Sequence, residues 1–352
     1  MSMHNNFELL AEERQNIEST GLDAAKWSWQ AHASHLRRGV EKSEDLTPRR
    51  SEFLIRHAME LEGISLQDAL KETKKAKGKA KVLPCPTREL ERAGLLDAAV
   101  DVAHLPAYSA AVTLRFQLLS PLLTRDDDPF YLFDNPARKD HIYGAPFLAA
   151  ASVKGLAADA VQRGFPLEQE WKTLGKNDQE RTTRYRRQQA LARRLFGLAS
   201  DADEFDSEAG RLHFSPVWFS SIQYLVLNPM KNDNSGIGTQ PLQFEAIAPV
   251  DEKGRPCQAE VRLFYFNPAG AKESDLTTAA NDLACLIAAL AAWWPALGLG
   301  AKRLAGYGAL VPTAAECSAK DWPGVTQPLK FSGDDSWQTL AKKIATIAKG
   351  KA

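Results

Sequence analysis

Gly298-Leu-Gly-Ala-Lys-Arg-Leu-Ala-Gly-Tyr-Gly308 follows an apolar, alanine-rich segment, and the order of elements around it decides the fold. Glycine lets backbone come close to a neighbour, and the Lys302–Arg303 pair directs that approach at an anion. A dinucleotide fingerprint needs glycine at the first, third and sixth places, after a strand and before a helix. Here the sixth place is Arg303, and the order is reversed: helix, loop, then a strand expected from Gly306 to Val311. A Walker-type loop would close on Gly-Lys-Ser or Gly-Lys-Thr, which this run lacks. Two readings remain, a loop that tracks the phosphates of a polymer and a tight turn with solvated cations.

Working outward, the segment from Thr278 to Trp294 reads as a helix. The wider stretch Leu283 to Gly300 is nearly all apolar, but alanine dominates it and Pro295 interrupts it. A helix buried on more than one side fits that composition better than a membrane span. From Ala110, the residues Val112, Leu114, Phe116 and Leu118 alternate with smaller or polar ones, the period of a half-buried strand. Val153, Leu156, Ala157, Ala160 and Val161 form a helical stripe, with Ser152 expected as its cap and Gly164 as its stop. Further strands are expected at Arg211 to Phe219, Ile222 to Leu227 and Gln258 to Phe266. Strand, helix, strands, helix, strand is the order of an α+β, ferredoxin-like fold with a sheet of the RNA-recognition-motif type.

This core would occupy residues 106–315, with an insertion at 165–208. Residues 1–105 read as a helical extension with a lysine-rich linker between Lys71 and Lys81, and 316–352 as a loop and a helix from Asp335 to Ala348. The 352 residues carry 44 acidic and 44 basic side chains, which argues against a strongly basic, freely acting nucleic-acid binder. Polyanion contact must come from local clusters or from surfaces completed by neighbours. Cys85, Cys257, Cys285 and Cys317 are too scattered for a zinc site or a disulfide framework, and the polar N-terminus is not a signal sequence. A cytoplasmic protein with reduced thiols is expected.

Three further segments bear on the site. Phe133-Asp-Asn-Pro-Ala-Arg-Lys-Asp140 is a loop leading to Pro146 and then to Ala151-Ser-Val-Lys-Gly155 at a helix start. The positive end of that helix, with Lys154 in its first turn and Gly155 bare, would seat a phosphate. Leu195-Phe-Gly197 precedes an acidic gap and Gly210-Arg-Leu-His-Phe-Ser215; Gly236 to Glu245 is a flexible loop re-entering structure at a proline. His213 lies in an alternating strand and reads as structural, while His141 beside Asp140 is an alternative acid–base residue. The arginines from Arg181 to Arg194 read as the outer face of a helix.

Taken in this order, the segments resemble the RAMP superfamily, the repeat-associated proteins of CRISPR effector complexes, over residues 110 to 312. The motifs that carry the resemblance are the helix start Pro146 to Gly155, the Leu195-Phe-Gly turn before a glycine-led strand, and the closing glycine-rich basic loop. Within the superfamily, the loop Asp134 to Asp140 is similar to that of type III backbone subunits. The helix start departs from the family pattern, with Ala149-Ala-Ala-Ser152 where many members have Pro-Gly-Ser-Ser, so backbone and capping subunits both stay open.

The resemblance implies an RNA-binding subunit of a type III effector, with guide RNA, target RNA and other subunits as partners and no membrane. RNA contacts would come from Arg138, Lys139, Ser152, Lys154, Gly155, Gly298, Gly300, Lys302, Arg303, Gly306, Tyr307 and Gly308. It also implies Asp134 as a candidate for target cleavage: its carboxylate could accept the proton of an attacking 2′-hydroxyl or hold a loosely bound Mg²⁺ or Mn²⁺. A structural turn residue in Asp134-Asn-Pro136 is the other open reading. No tightly bound cofactor or fixed metal site is expected. Two other classes compete: a free-standing endoribonuclease trimming precursor guide RNA, and a structural adaptor. Such nucleases commonly carry a histidine near the first helix, and this chain has none between Tyr108 and Lys139.

Overall fold

The structure is a computed structural model that describes residues 83–84, 101–125, 135–140, 145–163, 178–198, 208–227, 242–251, 253–268 and 272–350. Asp134, His141, Gly164, the loop 228–241 and nearly all of the N-terminal extension with its lysine-rich linker lie outside the described residues. In chain order the main elements are β1 (Leu83–Pro84), β2 (Ala110–Leu118), α1 (Ala150–Arg163), α2 (Asp178–Phe196), β3 (Leu212–Phe214), β4 (Ser221–Leu227), β5 (Leu242–Ile247), β6 (Gln258–Tyr265), α3 (Glu273–Leu297), β7 (Leu310–Ala319), β8 (Leu329–Ser332) and α4 (Ser336–Ala348). They divide between two compact units, one of residues 1–97, 121–147 and 218–257, the other of 98–120, 148–217 and 258–352.

The second unit is built on a five-stranded sheet in the order β8-β7-β2-β6-β3, every pairing antiparallel. α1 lies in sequence between β2 and β3, and α3 between β6 and β7. The alternation read in β2 is real: Val112, Leu114, Phe116 and Leu118 are buried, and on β6 Val261, Leu263 and Tyr265 do the same. This apolar face packs under α3 and α4. Trp337 of α4 meets Phe116 edge-on at 6.0–6.5 Å together with Trp294, ring-centroid distances of 6.5 Å and 6.0 Å respectively. Its indole N–H donates to the carbonyls of Arg115 and Ala314, beside the register shift between Pro312 and Ala314. The indole thereby covers backbone acceptors at the break in the ladder.

α3 is longer than expected, and over Ser274–Leu297 it is long and apolar enough to cross a membrane. Its Leu283, Leu286, Ile287 and Leu290 are fully buried, and it packs on α1, α4 and β7. Three strand expectations need correction. The expected strand Arg211–Phe219 is broken into Leu212–Phe214 and Val217–Trp218, because Pro216 has no N–H to continue a ladder. β7 begins at Leu310 instead of Gly306, since Arg303–Ala305 forms a 3₁₀ turn. β8 falls in what reads as a loop.

The first unit has a three-stranded antiparallel sheet in the order β1-β4-β5. β5 falls where a flexible loop was expected to end. Leu122 and Ile247 exchange backbone hydrogen bonds of 3.0 and 2.9 Å, which tie the segment after β2 to β5.

Candidate nucleic-acid interface

The glycine loop is a closed neck with an exposed tip. Leu299 N–H donates to the Gly308 carbonyl at 2.9 Å, and both Gly298 (φ 76°) and Gly308 (φ 71°) are left-handed. A Cβ on Gly308 would sit 1.9 Å from the Leu299 oxygen, and one on Gly298 would sit 2.9 Å from the Gly308 oxygen. The close approach at these two positions is therefore to the loop's own backbone, which corrects the expectation that they bring backbone to a ligand. Gly306 differs: a side chain there would meet open space. Lys302 is held left-handed at φ 54°, a conformation that costs a non-glycine residue about 1–2 kcal/mol. The tip from Ala301 to Gly306 is mostly exposed, with Leu304 fully so, while Tyr307 is half-buried.

α1 is already under way before Ser152, because Val153 N–H donates to the Ala149 carbonyl at 3.0 Å. Ser152 is thus inside the first turn and not the cap. An alanine at that boundary offers no side-chain oxygen, so the first N–H groups of the helix have no side-chain acceptor from Ala149. Ser152, Lys154 and Gly155 are all exposed. Gly155 costs the helix about 1 kcal/mol relative to alanine. Nothing lies within 4 Å of where its Cβ would be, so internal packing does not require it.

The two stretches approach each other. Arg303 Nη1 lies 3.7 Å from Asp159 Oδ2, and Asp159 also pairs with Arg163 at 3.1 Å. The Trp294 indole N–H reaches the Leu156 carbonyl at 3.4 Å, and the Arg163 guanidinium lies 5.4 Å from the Trp293 ring centre. Gly155 and Asp159 are four residues apart on one helical face. The tip cation Arg303 consequently stands one helical turn from the bare backbone at Gly155.

In the first unit, Arg138 is exposed with its guanidinium 5.5 Å from the Phe147 ring centre. Lys139 contradicts its expected role. Its ammonium donates to Glu245 Oε2 at 2.7 Å with both side chains fully buried, so it has no access to a phosphate. Glu245 also accepts from Ala137 N–H (3.2 Å), and its backbone N–H donates to the Asn135 carbonyl (3.0 Å). One residue of β5 therefore anchors the loop that follows Asp134. Among the described residues, Glu245 Oε1 is buried without a hydrogen-bond partner.

The arginine run resolves into specific pairs where it is described. Arg193 pairs with Glu208 at 2.6 Å near the surface. Arg194 makes a two-pronged contact with buried Asp282 of α3 (2.6 and 3.0 Å), which raises the guanidinium pKa, burial opposing. The Tyr265 hydroxyl donates to Asp282 and accepts from Arg211. Burial, then the neighbouring Asp282 carboxylate, pushes the Tyr265 phenol up to about 12. Asp282 escaped the sequence reading because it is one acid in an alanine-rich run. His213 is exposed, not buried, and stacks on Phe264 across the β3–β6 pair with ring centres 4.6 Å apart. Among the described residues, no three His, Cys, Asp or Glu side chains cluster as a metal ion would require.

The sequence model of the RAMP superfamily matches residues 115–311. No curated protein matches the chain in sequence. Among solved structures, a chain of type III-B Cmr-beta bound to cognate target RNA is similar at 12% identity and a TM-score of 0.42, with 87% of this chain and 96% of that one covered. A chain of the Csm3-Csm4 subcomplex of the type III-A CRISPR-Cas interference complex is similar at 11% identity and TM-score 0.33, covering 68% and 96%. A chain of a CRISPR RNA-guided surveillance complex in a pre-nicking state gives 12%, 0.37, 68% and 85%.

Proposed function

The chain belongs to the RAMP superfamily, and from that premise we propose that it is a guide-RNA-binding backbone or capping subunit of a type III CRISPR ribonucleoprotein effector. The observation that carries the binding half is the Arg303–Asp159 contact, which brings the glycine loop to the helix face bearing Gly155. Lys302 and Arg303 on the tip and Lys154 on α1 supply charge to the phosphates, and the bare backbone at Gly155 admits close approach; Arg138, exposed in the first unit, is a further RNA-binding cation. Tyr307 is half-buried at the loop's return and joins the RNA-binding set from there.

The order β7-β2-β6-β3, with α1 and α3 in the two crossovers, supports a ferredoxin-like core of the RNA-recognition-motif type. The type III assignment rests on the loop from Asp134 to Asp140. In that reading Asp134 accepts the proton as the target's 2′-hydroxyl attacks the adjacent phosphorus and the 5′-oxygen leaves. A divalent ion, where used, would be held there loosely.

The assembled complex tests both halves. Short RNA of fixed register should co-purify with it, and Asp134→Asn should slow target cleavage by about 10²–10⁴ while leaving guide RNA bound. A preparation free of RNA removes the binding reading; cleavage unchanged in Asp134→Asn removes only the catalytic one.

A further inference from the structure

The sheet of the second unit has a second face, opposite the one packed under α3 and α4, and its chemistry differs from that of the glycine loop. The residues of β2, β6 and β3 that alternate with the buried set include Thr113, Arg115, Glu260, Arg262, Phe264 and His213, all half-buried or exposed. Phe264 and His213 are direct cross-strand partners, and their rings are nearly parallel, 9° apart at 4.6 Å. Continuing the same row, Phe264 faces Ala111 on β2, and Ala111 faces Ser318 on β7. β3 is the last strand of the sheet among the described residues, and His213 lies on its outer side. An aromatic step at a sheet edge, with His213 exposed and Phe264 half-buried in a row otherwise made of small side chains, offers a face to a planar group.

The surroundings favour a nucleic acid over a protein partner. Next to the step runs a ladder of ion pairs: Arg262 with Glu260, Glu260 with Arg115 (3.1 Å), Arg115 with Glu316 (3.8 Å), and Glu316 with Lys330 (3.2 Å). Three cations against two carboxylates leave the face positive, with exposed Lys330 at its end. This row lacks the broad apolar centre that a protein interface buries, whereas every nucleobase has a π-face that such a step accepts.

We infer that the His213–Phe264 step is a stacking platform for a base of single-stranded RNA, a contact separate from the phosphate contacts of the glycine loop. The inference rests on the RNA-binding reading above. Ser318 lies about 27 Å along β7 from Leu310, where the glycine loop ends, so the two contacts engage different nucleotides. Changes at sites this far apart should act independently.

The test measures binding of a short fluorescein-labelled single-stranded RNA of mixed sequence by the full chain, across a salt titration. Each variant's thermal melt serves as the check on folding. His213→Ala should weaken binding about 5- to 100-fold with the salt slope unchanged, because a stacked ring releases no counterions, and His213→Phe should restore it. If His213→Ala instead flattens the slope by about 0.7, the imidazole acts as a cation and the stacking claim is overturned. Wild-type affinity in His213→Ala, with Lys302→Ala/Arg303→Ala still weakened, overturns the platform and leaves the RNA reading standing. Unchanged RNA binding with loss of assembly into the complex assigns the face to a protein and overturns it too. Absence of RNA binding by the wild-type chain ends both readings.

Discussion

Lys139→Met should be one of the most damaging single substitutions in the first unit. The ammonium lies 2.7 Å from Glu245 Oε2, and both side chains are fully buried. Among the described residues, removing it leaves a carboxylate in the interior with one weak donor, Ala137 N–H at 3.2 Å, and with Oε1 already without a hydrogen bond. Breaking a buried pair from one side costs about 3–5 kcal/mol, because the surviving charge is neither solvated nor paired. The double variant Lys139→Met/Glu245→Leu removes both charges together, along with the Ala137–Glu245 and Lys139–Glu245 hydrogen bonds. It should therefore lie within about 1–3 kcal/mol of wild type, and closer to it than Lys139→Met alone. Urea unfolding of wild type, both single variants and the double variant gives the coupling directly, read as midpoint shifts at constant slope. A coupling below about 1 kcal/mol would refute the reasoning, since it would mean that water reaches the pair.

Other outcomes follow from the same geometry. Gly308→Ala should destabilise the chain strongly in a thermal melt, because its Cβ would lie 1.9 Å from the Leu299 oxygen at a left-handed φ. Gly155→Ala should do the opposite, stabilising α1 by about 1 kcal/mol while weakening RNA binding where the strand passes over that turn. Asp159→Asn releases Arg303 and Arg163 from a shared carboxylate, and RNA affinity at low salt should rise several-fold with a steeper salt slope. The Tyr265 phenol, raised to about 12, contributes stability that is complete below about pH 10 and is lost as pH rises towards 12. Melting temperatures measured across that window should fall more steeply for wild type than for Tyr265→Phe.

The parts of the fold legible in sequence are those with a clear period. The alternation of Val112 to Leu118 and the stripe from Val153 to Val161 report which side faces the core, and the structure places both as they read. What was not legible depends on partners far away in the chain. Lys139 and Glu245 are 106 residues apart, and a lysine in a polar loop gives no local sign of burial. The usable signal lay on the other side: Glu245 is a charge inside the apolar run Leu242 to Ala248, where a strand's inward position calls for a partner. Ser152 looked like a cap because capping residues announce themselves and the true boundary at Ala149 does not. The glycines correctly signalled close approach, yet nothing local could say that Gly298 approaches the backbone of Gly308 and Gly308 that of Leu299 while Gly306 faces open space. The cation at Arg303 was readable; its contact with Asp159 was not. An alternating strand does not say whether its outer residue is solitary, so the pairing of His213 with Phe264 was hidden as well.

The central claim is that the tip of the glycine loop neutralises phosphates of an RNA strand, and counterion release reads that most directly. Affinity for single-stranded RNA should be measured against salt for the wild-type chain and for Lys302→Ala/Arg303→Ala. With each phosphate contact contributing about 0.7 to the logarithmic slope, the double variant should give a line flatter by about one to one and a half. Two parallel lines would contradict the account, since they would leave both cations facing solvent with no strand beside them.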